Sequence, residues 1–509
     1  MDTSNINKIA IIGAGVAGLS TARQLIGEGF DCTLFERNEV LGGVWSDGYL
    51  NFGVQVQHEL YEFPDWPLPE GTPDFTPGPI ILKYLHDYAD HFEISSKIRF
   101  KTRVTSLAEA DSPDTGWVLT SENTNESIQE HFDLVVICIG LFSDTPNIPE
   151  FPDRDKFHGE VIHNSLLKSE EQLKDKRVAI IGYGKGSNDA AVESAKVASQ
   201  TYMIFREAHW PIPQKLAGIL PFKWGLLNRL TSTLIPVYQD TTSVERTVHS
   251  IGKPLAWFYW RIIEALFFFQ CKLGSRFGTR VSLVPKLPIE VDAFGETLQI
   301  PKSEFFRLAR AGRIDLRRSE IERFTSSGLE LANGNSLELD TVILATGWKI
   351  DFSFIAPDIW EKLGPGDDGF YLYRHIMNPK VPGLFFVGRA ATVSSILSYS
   401  LQARWLVELL KERIVLPSED AMTKNIENMK AWKQSWMPFS SARSARLNVH
   451  TQHYHDELVK DMGVNPLRKT GFFAPLKELI FPYEPKDYAS IVSGEEGIVS
   501  QSGPRQLVT

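Results

Sequence analysis

Residues 8–36 read KIAIIGAGVAGLSTARQLIGEGFDCTLFE, and this stretch decides the fold. Its opening, Lys8 to Ile12, has the length and composition of a buried strand. The turn GAGVAG follows, then a run of helical character, then a second apolar strand that closes on Glu36. That is the βαβ grammar of a dinucleotide-binding unit. Gly13 permits the tight turn, Gly15 lets backbone approach a pyrophosphate at the helix N-terminus, and Gly18 lets the helix pack on the strand. Glu36 lies 23 residues after Gly13, close to the roughly 20-residue offset expected of a carboxylate that accepts from ribose hydroxyls.

The same grammar returns downstream: RVAII at 177–181, GYGKGSND at 182–189, a helical run, and a strand ending at Arg206. Gly182 and Gly184 keep the first two glycine positions, while Ser187 stands where a third glycine or alanine is usual. The strand ends in a cation rather than an acid. A ribose 2′-phosphate needs a positive partner where a free 2′-hydroxyl needs a carboxylate, so Arg206 predicts NADP(H), with Lys185 as a further candidate. Two dinucleotide sites in one chain predict a bound flavin and a diffusing nicotinamide, with hydride passing between them.

Composition narrows the remaining classes. The 509 residues are 43% hydrophobic and 23% charged, values of a folded soluble chain rather than a disordered or polytopic one. A net charge of −10 with no Lys/Arg block argues against nucleic acid as a partner. Cys32, Cys138 and Cys271 form no C-x-x-C pair, so neither a redox dithiol nor a metal clamp is expected, and a reducing compartment is the default. The apolar run 9–22 is preceded by Asp2 and interrupted by glycines, which reads as fold rather than targeting signal.

The order of motifs along the chain resembles that of flavin-containing monooxygenases. GAGVAG, LGGVW at 41–45, FHGEVIH at 157–163, GYGKGSNDAA from 182, LATGW at 344–348, LYRHIMNPKVPGLFFVG at 372–388 and LQARW at 401–405 cover roughly residues 8–410. The resemblance implies that the first motif binds FAD and the second NADPH. It brings Gly42, Gly43 and Trp45 towards the flavin and counts Gly388 and Gln402 among the cofactor contacts. Phe157, Gly159 and His163 match the family fingerprint, with His163 positioning the nicotinamide domain rather than moving protons.

Departures from the pattern are equally specific. Counting back from Asp65-Trp66-Pro67, the position of the family's active-site asparagine is Gln55, with Gln57 and His58 close by in sequence. The longer amide keeps donor and acceptor but displaces them by about one methylene. Leu167 stands where the family has Tyr or Phe and the related Baeyer-Villiger enzymes have Trp. Arg389 follows the late glycine, where flavoproteins commonly have Asp.

The expected architecture is α/β, with two Rossmann-like dinucleotide-binding domains and an additional, mostly helical insertion. The FAD domain is discontinuous, 1–165 and 325–450, with the NADPH domain 166–324 inserted. An apolar insertion spans 211–300, and 451–509 form a C-terminal extension whose tail loosens after about 485. Within the insertion, PLAWFYWRIIEALFFFQCKLG carries a polar stripe of Lys253, Arg261, Glu264 and Lys272. It reads as a buried or substrate-tunnel helix, as peripheral membrane contact through 254–270, or as a subunit contact. No 18-residue apolar span occurs, so the expected localisation is cytoplasmic, with a membrane surface as the competing reading. The oligomeric state is left open.

The expected function is an NADPH- and O₂-dependent flavoprotein monooxygenase. It oxygenates N or S of a small apolar organic substrate through a flavin C4a-hydroperoxide, with Gln55 at the reacting centre and no metal. The alternatives are Baeyer-Villiger oxidation of a ketone or aldehyde and, from another class, a membrane-associated flavin-binding protein with little turnover.

Overall fold

The computed structural model describes residues 6–110, 116–124, 126–142, 145–236, 238, 242–279, 281–496 and 505–507. The first nucleotide unit is built from β1 (Lys8–Ile12), α1 (Val16–Gly27), β2 (Asp31–Phe35), β3 (Ile98–Arg99) and β4 (Leu134–Ile137). The second uses β5 (Glu160–His163), β6 (Arg177–Ile181), α2 (Lys185–Val197), β7 (Gln200–Phe205), β8 (Asp315–Arg318) and β9 (Thr341–Leu344), with α3 (Lys253–Cys271) between β7 and β8. The chain then returns to the first sheet through β10 (Leu384–Phe386), followed by α4 (Ser395–Leu410) and α5 (Thr451–Asp461). The sheet orders are β10-β4-β1-β2-β3 and β8-β7-β6-β9-β5, parallel throughout.

The apolar strand runs follow from burial on both faces. Ile9, Ala10 and Ile11 in β1, and Val178, Ala179 and Ile180 in β6, have no exposed surface. On one side of the first sheet, Leu19, Ala22 and Leu25 of α1 pack with Ile396, Leu401 and Trp405 of α4. Its other side is covered by the antiparallel strands Arg103–Glu109, Trp117–Glu122 and Ser127–Phe132. A second meander, Ile321–Thr325, Gly328–Leu331 and Ser336–Glu338, packs in the same way on the second sheet.

Three expectations about domain organisation are corrected. The boundaries at 165/166 and 324/325 move, because β5, the second meander and β9 all belong to the second unit. β5 is short and only partly buried, and the TVIL of β9 matches the LVVI of β4 in composition, so neither announced its sheet. Residues 451–461 are no appendage: Tyr454, Leu458 and Val459 of α5 lie in the first core beside α4. Nor does the chain loosen at 485, since Tyr488, Ile491 and Val492 are buried there. Residues 497–504, 508 and 509 of that expected loose tail lie outside the described residues.

Within the insertion, Ala256, Trp260, Ile263, Phe267 and Cys271 bury one helical face of α3 in the second core. Leu255, Trp257, Phe258, Ile262 and Phe269 are each more than half exposed on the remainder. No helix among the described residues is long and apolar enough to cross a membrane.

Candidate functional site

A cavity of about 2690 Å³ opens where the carboxyl ends of both sheets converge. Residues after β1, β4, β6, β9 and β10 line it, the location expected for ligands of open parallel sheets. Single small-ligand pockets run to about 1,000 Å³, so the space suits two dinucleotides and a substrate.

At the first nucleotide loop, Gly13 has φ +105°, and a Cβ there would stand 2.7 Å from the Cys138 carbonyl oxygen. Gly15 opens onto the cavity, with the Gly43 Cα 3.5 Å from where a methyl would sit. The α1 N-terminus therefore faces a cradle that a side chain would fill, as a pyrophosphate requires. Gly18 packs beneath this loop against the Gly13 carbonyl and does not line the cavity. The buried Glu36 carboxylate accepts from the Ala14 and Asn38 N–H groups at 2.9 Å each, which fixes it at the cavity wall.

Gly43 and Trp45 stand opposite Gly15 in a short 3₁₀ turn. Trp45 donates its indole N–H to the Tyr61 hydroxyl at 2.9 Å and stacks on Phe52. Both tryptophan and tyrosine line the cavity, as does Gln55. The Gln55 Oε1 is buried without a hydrogen-bond partner, an atom waiting for a donor. Gln57 and His58 do not share that position. Gln57 is buried away from the cavity, and the His58 ring lies 3.7 Å from Glu59 and 4.0 Å from Asp74.

At the second loop Gly182 repeats the turn with φ +131°, and Gly184 leaves open space before α2. Ser187 corrects its assignment as a cofactor contact: it is wholly buried, donates to the Ala345 carbonyl at 3.4 Å and does not line the cavity. Its hydroxyl does for helix–strand packing what a third glycine does by absence. Arg206 is exposed at the cavity edge immediately after β7, where a nucleotide ribose is expected. Lys185 also lines the cavity but is held by Asp189 at 2.5 Å.

Both His163 ring nitrogens are occupied, by Ser165 Oγ at 2.9 Å and the Gly347 carbonyl at 3.1 Å. Burial holds the ring below the usual histidine range, which with these bonds makes it a brace between β5 and the turn after β9. Gly388 and Gln402 also act behind the wall rather than in it. The Gly388 N–H donates to Gln402 Oε1 at 3.0 Å, and Gln402 in turn donates to the Tyr454 hydroxyl at 2.8 Å. Neither lines the cavity, because α4 turns that amide into the core. The tunnel reading of 254–270 is likewise corrected, since no residue of α3 lines the cavity.

The model of the family "FMO-like: Flavin-binding monooxygenase-like" matches residues 6–253 and 304–475. The chain belongs to this family. It is an FAD-containing monooxygenase with NADPH as reductant, and the two loops and the open cradle fit those groups. Among relatives, "Probable flavin-containing monooxygenase 1" of Arabidopsis thaliana is 31% identical over 96% of this chain and 97% of its own. Among solved structures, S-allyl-L-cysteine S-oxygenase from Allium sativum superposes with a TM-score of 0.62 at 21% identity, covering 92% of this chain and 91% of that one. Polycyclic ketone monooxygenase from Thermothelomyces thermophila gives 0.69 at 16%, covering 90% and 88%. At these identities the solved structures establish the shared fold.

Several residues lining the cavity went unread in the sequence. Asn164 lines the cavity with a buried, unpartnered Oδ1. His209 lines it beside Asp292, whose carboxylate takes the imidazole at 2.7 Å and the Trp210 N–H at 2.6 Å. Burial opposes the imidazolium, but that carboxylate outweighs it and raises the His209 pKa. The His209-Trp210 pair, just past the strand end at Arg206, was the available signal.

Proposed function

We propose that this monooxygenase places one oxygen atom on a nitrogen or sulfur of a small apolar organic substrate. The carrying observation is Gln55, which lines the cavity that both nucleotide loops share and whose side-chain carbonyl oxygen is buried without a partner. When bound, FAD reduced by NADPH supplies the activation of O₂. The chain supplies binding, orientation and dryness. The α1 N-terminus and Gly15 hold the FAD pyrophosphate, Glu36 accepts from ribose hydroxyls, and Arg206 pairs with the 2′-phosphate of NADPH. Gln55 accepts from the nicotinamide carboxamide, and Trp45 with Tyr61 closes that side against water.

Heteroatom oxygenation is favoured over Baeyer-Villiger insertion by one observation. The relative at 31% identity carries the flavin-containing monooxygenase name. Leu167, wholly buried, matches neither the Tyr or Phe of the one pattern nor the Trp of the other and does not discriminate between them. Anaerobic reduction with NADPH, followed by ¹⁸O₂ and a mixture of a thioether and a ketone, tests this by mass spectrometry. Sulfoxide carrying one labelled oxygen, with the ketone unchanged, is expected; labelled ester would reverse the assignment.

The outward face of α3 supports a second proposal, peripheral docking on a lipid surface. Leu255, Trp257, Phe258, Ile262 and Phe269 present a wide apolar face, with Lys253 and Lys272 at the two ends of the helix to meet lipid phosphates. Phe472, Phe473 and Leu476 add exposed apolar surface near the C-terminal end.

A further inference from the structure

Arg389 follows Gly388 at the carboxyl end of β10, in the first sheet. Its side chain is 7% exposed and lines the cavity, and its Nε has no hydrogen-bond partner. The guanidinium lies over the Phe370 ring at 4.7 Å and the Phe352 ring at 5.5 Å. Among the described residues no carboxylate pairs with it. The basic neighbour it shares a field with is Lys433, whose charged form burial and then Arg389 itself disfavour. The acid of that group, Asp368, is already taken by Tyr371, Gln434 and Arg443. Burial pulls the Arg389 guanidinium down to about 10.

An unpaired buried cation destabilises a fold unless an anion completes it. Gly388 ties this position to the phosphate-binding helix. A Cβ on Gly388 would lie 3.1 Å from Ala17 Cβ, in the first turn of α1, so Arg389 is next in chain to a residue packed on the phosphate-binding helix end. We propose that Arg389 supplies a buried positive charge to the pyrophosphate of bound FAD, in the position where flavoproteins commonly carry an aspartate. This rests on FAD occupying the first nucleotide loop. A flavoprotein aspartate can only accept from ligand hydroxyls, whereas a guanidinium neutralises phosphate charge and donates to its oxygens.

The test is a reconstitution titration of the full chain, stripped of cofactor, with FAD and separately with ADP, which carries the pyrophosphate without the flavin. Arg389→Met should weaken both by about 10- to 150-fold, the range of one charge-assisted hydrogen bond, while Arg389→Lys keeps most of the affinity. Because the cation is unpaired without ligand, the cofactor-free Arg389→Met protein should unfold at the same or a higher temperature than wild type. Unchanged affinity for both ligands overturns the proposal. A loss confined to FAD overturns the pyrophosphate assignment. A fall in cofactor-free stability would make Arg389 a packing residue and overturn it too. Failure of the wild-type chain to bind FAD at all would instead remove the FAD reading on which the proposal rests.

Discussion

Tyr49 donates its hydroxyl proton to Asp189 at 2.7 Å, and this bond crosses from the flavin-side loop to helix α2 of the nicotinamide unit. One helical turn further on, Asn51 reaches Glu193 at 2.9 Å, and Lys302 joins the same carboxylate at 3.0 Å. The loop that carries Gln55 is thereby tied to the second nucleotide site. Asp189 keeps Lys185 when the phenol is removed. Tyr49→Phe should cost about 0.5 to 1.5 kcal/mol of stability by thermal unfolding. It should also raise the hydrogen peroxide released per NADPH, because the spacing between the two sites slackens. A stability loss with unchanged coupling would confine the bond to structure.

Gly15→Ala should separate folding from cofactor binding. The methyl meets only ordinary contact with Gly43 in the empty cradle, and the exchange at a helix N-cap costs under about 1 kcal/mol. FAD, however, needs that space. The variant should unfold close to the wild-type temperature and emerge colourless, and a yellow variant with wild-type FAD affinity would remove the pyrophosphate from this loop.

Arg206→Ala should raise the KM for NADPH about 10- to 150-fold, as expected from losing a charge-assisted contact, with little change for NADH. Equal losses with both coenzymes would assign Arg206 to something other than the 2′-phosphate. Glu207 stands next to it but is engaged by Lys286 and Arg318, so that carboxylate does not draw Arg206 from the cavity edge.

The outward face of α3 is tested by vesicle co-sedimentation with mixed neutral and anionic lipid. Each large apolar side chain contributes about 1.5 to 3 kcal/mol on leaving water. Leu255→Glu with Phe258→Glu should abolish sedimentation while leaving turnover of a water-soluble substrate unchanged. Wild-type protein that stays in the supernatant contradicts docking, and concentration-dependent association in its place would identify a subunit contact.

Much of this was legible in the chain because the βαβ grammar is local. Strand, glycine turn, helix and strand-end residue fall within about 30 residues, so the order of residues alone places Gly13, Glu36, Gly182 and Arg206. What requires non-local packing was not legible. Ser187 and Gln402 belong to the motifs, yet only the core shows that their side chains point away from the cavity. The apolar surface on either side of the polar stripe of α3 could not say which part is buried. Arg389 was visible as an unusual letter, but its isolation from the carboxylates of the described residues depends on Asp368 being engaged by residues 371, 434 and 443.

The central claim is that Gln55 sits where the two cofactors meet and governs the fate of the electrons. It is tested most directly by measuring product and hydrogen peroxide per NADPH oxidised in wild type and Gln55→Ala. Losing one hydrogen bond to a buried partner costs about 1 to 3 kcal/mol, or roughly a five- to 150-fold change in the step it controls. Gln55→Ala should keep FAD and still oxidise NADPH, with the yield moving from oxygenated product to hydrogen peroxide by a factor in that range. An unchanged ratio of product to peroxide would contradict the account.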